Sequence, residues 1–337
     1  MKEGYISRKR KYYITCFLLS ILLIALCIFE MCYGKTIYSL SYVIKVLQSS
    51  DNLEGAFTIR TLRFPRMLAG VFTGIAFGLS GNTFQKLLRN PLASPDIIGV
   101  TAGSSVAAVF GLLVLGISGA AVSIMAVVCG LAVTCFIYLF SGGIHSNDSR
   151  LILVGIGAQA FLNALISWMI LKTSEYNVSA ALRWLSGSLN DVGMERIPVL
   201  GIVILIAGTG VAILSRPLRI MQLGNEFSYS LGTKPEMTRI LLMLCALFLT
   251  AFATAVSGPI ASVAFLSGPI AARLLKDSDG NMIASALIGA ILVIVADLIG
   301  QYALPARYPV GVITGILGAP YLLLLLLRMN KKGTTES

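Results

Sequence analysis

The sequence predicts an all-α polytopic membrane protein of about ten transmembrane helices, organised as a single transmembrane domain over residues 1–337. Three observations carry that prediction. Hydrophobic residues make up 56% of the chain and charged residues only 12%. The mean hydropathy of +0.86 leaves too little polar surface to coat a soluble globule. The apolar residues also gather into long runs, separated by short turns rich in Gly, Pro and basic side chains.

The runs fall, in order, at 13–32, 67–81, 97–115, 122–140, 151–171, 199–214, 240–256, 260–272, 283–299 and 310–327. A helix crossing hydrocarbon needs about 17–25 residues, and most of the runs reach that range with their flanks. The first follows Arg8, Lys9, Arg10 and Lys11 and has no small-x-small cleavage site behind it, so it reads as a span and not a removable signal. The eighth, within "SGPIASVAFLSGP" (257–269), is too short and carries Gly and Pro. A half-length or broken helix is expected there, with its free backbone groups shielded by protein or by a water-filled cavity.

The net charge of +11 is read as topology and not as affinity for nucleic acid. Ten spans with the N-terminus inside put about two thirds of the 26 basic residues on the cytoplasmic side, so residues 1–11 and the tail 328–337 are both expected there. In "LSGNTFQKLLRNPLASPDIIGV" (79–100), Lys86 and Arg89 then mark a cytoplasmic turn, with Pro91 and Pro95 preventing fusion of the second and third spans.

Enzymatic chemistry is not expected. The six cysteines lie in or at the ends of apolar runs without ligand spacing, and His145 stands alone in a loop, so no metal site, cofactor or catalytic residue is implied. Asp297, near the outer end of the ninth run, is read either as a carboxylate reaching the interface or bonding backbone, or as a lone ion-coupling acid. No GxxxxGK[ST] phosphate loop occurs, so any uphill transport must draw its energy from another polypeptide. The longest inside loop, 215–239, is bounded by Pro217 and Pro235 and holds "NEFSYSL" between Gly224 and Gly232. It suits either a docking helix or a helix lying on the membrane surface. Arg60, Arg63 and Arg66 oppose the positive-inside bias, which leaves headgroup snorkelling or contact with an acidic partner or solute.

The stretch "LRFPRMLAGVFTGIAFGLSGNTFQKLLRNPLASPDIIGVTAGSSVAAVFG" (62–111) closely resembles the signature region of the iron-siderophore and vitamin B12 permease family of ABC importers. "RLILVGIGAQAFLNALIS" (150–167), "RWLSGSL" (183–189), the LG…LG loop at 223–232, and "ADLIG" with "YPVGVITGILGAPYLLLLL" (296–326) follow in the family's order. The resemblance implies a type II importer architecture resembling the vitamin B12 importer. In it, two ten-span permease subunits, identical or related, pair in the membrane lipid around a solute path. Two cytoplasmic ATPase subunits supply the energy, and an extracytoplasmic siderophore-binding protein delivers the ligand.

The same resemblance assigns roles to positions. Arg63 and Arg66 match outer arginines that dock the binding protein. A third is replaced by Gln301, with Arg307 close enough to substitute. Leu223, Gly224, Glu226, Leu231 and Gly232 fall on the ATPase-coupling motif. Gln159 and Asn163, one helical turn apart, fall on the helix lining the translocation path, where bonding to a neighbouring helix is the alternative. Asn90 and Leu92 match positions able to constrict the cytoplasmic mouth. The block "FLSGPIAAR" (265–273) lacks a histidine found in many relatives and resembles ferric siderophore members. The expected function is import of an iron chelate. Cobalamin or haem import by the same machinery, and an ion-coupled secondary carrier, are the rival readings.

Overall fold

The computed structural model describes residues 2–49, 53–143, 148–173, 175–190, 192–275 and 281–333. His145, Lys276 and the end of the tail, 334–337, lie outside the described residues. Among the described residues the regular structure is entirely helical. The first half comprises α1 (Lys2–Cys32), α2 (Leu40–Gln48), α3 (Phe64–Leu87), α4 (Val100–Leu113), α5 (Ala120–Phe140) and α6 (Asp148–Lys172). The second comprises α7 (Glu175–Leu185), α8 (Ile197–Met221), α9 (Asn225–Ser230), α10 (Pro235–Ser257), α11 (Val263–Leu275), α12 (Met282–Leu298) and α13 (Val310–Gly333).

Among the described residues, seven segments are long and apolar enough to cross a membrane, and Val100–Leu113, Val263–Leu275 and Val310–Leu325 are shorter apolar helices. Together they coincide with the ten runs of the sequence. The eighth run is the half-length helix expected: residues 258–262 are not helical, and α11 has only 13 residues. The chain beside this break is tied to neighbouring loops. Ser188 N–H donates to the Ser257 carbonyl at 2.7 Å, and Gly311 N–H donates to the Gly187 carbonyl at 3.0 Å.

Helices α2 and α7 lie outside the ten runs. Each is too short to span, and α2 is held by Val43 and Val46 against Met31 and Ile59 while Leu40, Ile44 and Leu47 stay exposed. The loop expected at 215–239 is shorter in the structure. Helix α8 continues through Pro217 to Met221, because buried Leu218 anchors the last turn, and the connection to α10 is residues 222–234.

Helix α3 is the axis of the bundle. Its best membrane window is 72% buried and those of α10 and α12 are 67% and 56%, whereas α1 and α6 are 17% buried and α5 and α8 28%. The first three therefore form the interior, and the other four face lipid or a partner. Close approach to α3 is made by glycine. A Cβ on Gly74 would sit 2.5 Å from the Ala290 Cα, and one on Gly81 would collide with the Ala264 carbonyl. Hydroxyls and amides tie the interior: Thr250 donates to Ser80 Oγ at 3.0 Å, Ser123 to the Ala255 carbonyl at 2.7 Å, and Gln85 to the Phe265 carbonyl at 2.9 Å. The face where the α1 span begins and α3 ends is called the terminal face here, and the opposite one the far face.

Candidate functional site

On the far face, the π-helical turn Thr58–Arg63 leads into α3 and swings its arginines inward. Arg63, 8% exposed, donates to the carbonyls of Met31 at 2.8 Å and Thr36 at 2.7 Å, with its guanidinium 5.2 Å from the Tyr38 ring centroid. Arg60 donates to the Val46 carbonyl. Arg66 grips Asp297 with two parallel bonds, Nε to Oδ2 at 2.8 Å and Nη2 to Oδ1 at 2.7 Å, and also donates to Asn190 Oδ1. Gln301 donates to the same Asp297 carboxylate from one turn along its own helix. Arg307 is exposed.

This arrangement corrects one expectation and adds detail to another. Asp297 is 1% exposed and, among the described residues, takes its side-chain bonds from side chains of α3 and the turn after α12 and not from backbone. Arg63 commits two of its five N–H donors to internal carbonyls, because the loop between α1 and α2 leaves those carbonyls without helical partners and wraps the guanidinium to satisfy them.

The α6 pair divides. Gln159 is half-buried and donates through Nε2 to the Asp96 carbonyl of the 3₁₀ turn Pro95–Ile98, so it ties α6 to the turn between α3 and α4. Asn163 is exposed, on a helix that also exposes Leu153, Phe161, Trp168 and Leu171. Asp96 accepts bonds from Thr101 and, at 3.5 Å, from Ser94. Burial pushes its carboxyl above the ordinary aspartate value, and those two hydroxyls pull it partly back.

On the terminal face, α3 stops at Leu88, and Arg89 takes a left-handed conformation with φ 49° while donating to the Met221 carbonyl. Asn90 Oδ1 accepts the Leu92 N–H at 2.9 Å, an Asx turn that narrows the connection. Asn90 also lines a cavity of ≈ 350 Å³ with Gln85, Gln222, Pro269 and Asn281, whereas Leu92 does not.

The connection 222–234 is built around α9. Gly224 with φ 116° and Gly232 with φ 75° adopt backbone conformations other residues resist. Ser228 is buried and donates to the Gly224 carbonyl at 2.7 Å, and Thr233 donates to the Ser228 carbonyl at 2.7 Å. The small polar residues face inward and hold the loop, leaving Leu223 67%, Phe227 66%, Tyr229 55% and Leu231 60% exposed beside the exposed Glu226. These apolar side chains lie outside the ten apolar helices, where the protein core does not cover them.

Residues 22–328 match the FecCD transport family. The chain belongs to that family. The FecCD chain is 33% identical to the ferric enterobactin transport system permease protein FepG of Escherichia coli K12, over 97% of its own length and 99% of FepG. It is equally 33% identical to the Fe(3+)-citrate import system permease protein YfmE of Bacillus subtilis 168, over 97% and 98%. FepD, the other ferric enterobactin permease protein of E. coli, is 32% identical over 94% and 95%. A solved structure described as an inward-facing conformation of a metal-chelate type ABC transporter superposes with a TM-score of 0.82 at 24% identity, covering 93% of this chain and 98% of that one. It shares the fold.

Sequence reading of the FecCD chain passed over two groups. Glu30, on α1, is 2% exposed, with neither carboxylate oxygen bonded among the described residues, and lies close enough to Asp297 and Arg66 to interact electrostatically. Asn190 completes the shell of Arg66. One carboxylate in an apolar run was the available signal for Glu30. Asn190 has none, because its role depends on a partner 124 residues away.

Proposed function

We propose that this chain is the membrane permease subunit that carries an iron chelate, a ferric siderophore or ferric carboxylate complex, into the cell, powered by ATP hydrolysis in a separate subunit. The observation that carries the substrate class is the end-to-end 33% identity to permeases of ferric enterobactin and Fe(3+)-citrate systems. The terminal face is cytoplasmic in this reading, the protein sits in the cytoplasmic membrane, and a second permease, identical or related as FepG and FepD are, packs against the unpartnered side of α6.

Two ATPase subunits dock on the 222–234 connections of the two permeases. The supporting feature is four exposed large side chains, Leu223, Phe227, Tyr229 and Leu231, on and beside the short helix α9 outside the spans. Glu226 adds a charged rim, and Gly224 and Gly232 fix the helix at the angle from which a push is transmitted to α8 and α10. Closure of the ATPase pair would tilt these helices and exchange an outward for an inward opening. Asn163 faces the path on α6, and Gln159 keeps α6 registered against the turn that carries Leu92 and Asn90, the proposed cytoplasmic constriction.

On the far face, Arg307 makes the direct contact with an acidic, ligand-loaded binding protein, and Arg66 and Arg63 shape the rim beneath it. An ion-coupled carrier is disfavoured because Asp297, the acid the sequence offered for it, is committed to Arg66. The deciding experiment is ATP-dependent uptake of a ferric siderophore in vesicles bearing the full complex. Replacing Gly224 and Glu226 together should abolish coupled uptake, and undiminished uptake would overturn the ATPase docking.

A further inference from the structure

On the far face a cavity of ≈ 200 Å³ opens where α7, the loop after it, the start of α8 and the end of α10 meet. Its lining includes Arg183, Trp184, Ser188, Asn190 and Arg196. We propose that this cavity is a subsite for one anionic arm of the ferric chelate, a carboxylate or a catecholate, on its way into the path. The proposal rests on the iron-chelate reading above and names the part of the substrate that the far face recognises.

The cavity holds donors that the chain itself leaves without acceptors. The Nε of Arg196 is buried and has no hydrogen-bond partner among the described residues. A guanidinium cannot shed its proton to escape that cost, so the N–H calls for an acceptor from outside the chain. Neither Arg183 nor Arg196 makes an ion pair among the described residues. Glu195, next to Arg196 in sequence, lays its carboxylate against Gly193 instead. Asn190 adds a further donor. Arg66 has only N–H groups to offer, so Asn190 turns Oδ1 to it, and Nδ2 is left without a bond among the described residues.

Water can satisfy a single N–H, but it does not balance two guanidinium charges that line one small cavity. The oxygen donors of an iron(III) chelate carry the complementary charge. Carboxylate and catecholate are planar groups, which suit both a guanidinium fork and the face of Trp184. The volume admits one such arm and leaves the body of the chelate at the mouth. An acidic side chain of the binding protein is the other source of a carboxylate, and the exposed Arg307 suits it better, because the Arg196 Nε is recessed. Helix α7 directly follows α6, so an arm held here lies next to the helix that carries Asn163.

The chain has two tryptophans, Trp168 on α6 and Trp184 in the cavity, so Trp168→Phe leaves one fluorophore at the site. Iron(III) chelates quench indole fluorescence on close approach. With this full-length chain in lipid nanodiscs and no binding protein present, ferric citrate and ferric enterobactin should quench Trp184 saturably. Ferrichrome, an iron(III) chelate without net charge, should not. Arg183→Gln and Arg196→Gln should each raise the half-saturating concentration about tenfold, the worth of one charge-assisted hydrogen bond. Arg183 is exposed, so its variant tests the proposal even if Arg196→Gln fails to fold. Lys35→Gln, an exposed far-face cation outside the lining, should leave the titration unchanged. Equal quenching by ferrichrome, or equal effects of Lys35→Gln and the arginine variants, would overturn the proposal. So would a comparable gain in affinity on Asp191→Asn, which would make the chain's own carboxylate the occupant. ATP-dependent uptake by the full complex keeps the parent reading separate. There the arginine variants should raise KM more than they lower the maximal rate, whereas a native complex that takes up no ferric chelate would remove the parent reading and leave the titration to judge the cavity.

Discussion

Arg66 and Asp297, 231 positions apart in the sequence, are joined by two parallel hydrogen bonds of 2.8 and 2.7 Å in the far-face interior of the bundle. The pair fastens the beginning of α3 to the end of α12, the two helices whose glycines allow their closest approach. Breaking a buried pair by removing one partner strands the other charge, at a cost of about 3–5 kcal/mol. Asp297→Ala should therefore lower the unfolding temperature in detergent sharply. The double change Arg66→Met with Asp297→Leu should cost much less, and equal losses in the two variants would show that the charges do not act as a pair.

The glycines of α3 give a graded steric prediction. A Cβ at Gly81 meets the backbone carbonyl of Ala264, which cannot swing aside, whereas one at Gly157 of α6 meets nothing within 4 Å. Gly81→Ala should destabilise by about 1–3 kcal/mol or prevent assembly. Gly157→Ala should be neutral in yield and unfolding temperature when measured alone.

For the 222–234 connection, exposure without a covering partner separates coupling from stability. Phe227→Ser with Leu231→Ser removes apolar surface that the isolated chain does not bury, so its unfolding temperature should hold. Co-purification with the ATPase subunits should fall by tenfold or more. A parallel loss of stability would mean that these side chains pack within the chain.

Opposite outcomes are expected from charge reversal at two of the far-face arginines, Arg307 and Arg63. Arg307→Glu should weaken association with the binding protein, most at low salt, since the residue is exposed. Arg63→Glu buries a carboxylate against the carbonyls of Met31 and Thr36 and should reduce folded yield instead.

Asp96 supplies a pH signature. Its carboxyl holds its proton more readily in the folded chain than in the unfolded one, because burial outweighs the bonds from Thr101 and Ser94. The contribution to stability is thus fully present below the ordinary aspartate value and is lost as pH rises through the raised one. Unfolding temperature should decline across that interval in the native chain. Asp96→Asn should flatten the decline, and an unchanged profile would assign it to another group.

Much of this protein is written in local pattern. Runs of apolar residues mark ten apolar helices, seven of them long enough to span a bilayer among the described residues, without any knowledge of their neighbours, because each helix in hydrocarbon must satisfy its own backbone bonds. The half-length eighth span, the short helix between Gly224 and Gly232, and the basic stop at Lys86 and Arg89 follow from composition in the same way. The motif order was enough to indicate the family that the match over residues 22–328 establishes.

Tertiary structure decided the rest, since charge and exposure depend on what lies across a helix interface and not on what adjoins in sequence. Sequence could place Arg63, Arg66 and Asp297 on one face, but only packing turned Arg63 inward, joined Arg66 to Asp297, and enclosed Glu30 beside them. Gln301 looked like the loss of an arginine, and became a ligand of the Asp297 carboxylate only when the turn after α12 brought it within reach. Pro217 looked like a boundary, and is helical because Leu218 is buried beside it. Where α7, the loop after it and the start of α8 meet at Arg183, Asn190 and Arg196, no local pattern marks a cavity, because each segment contributes only one or a few residues to its wall.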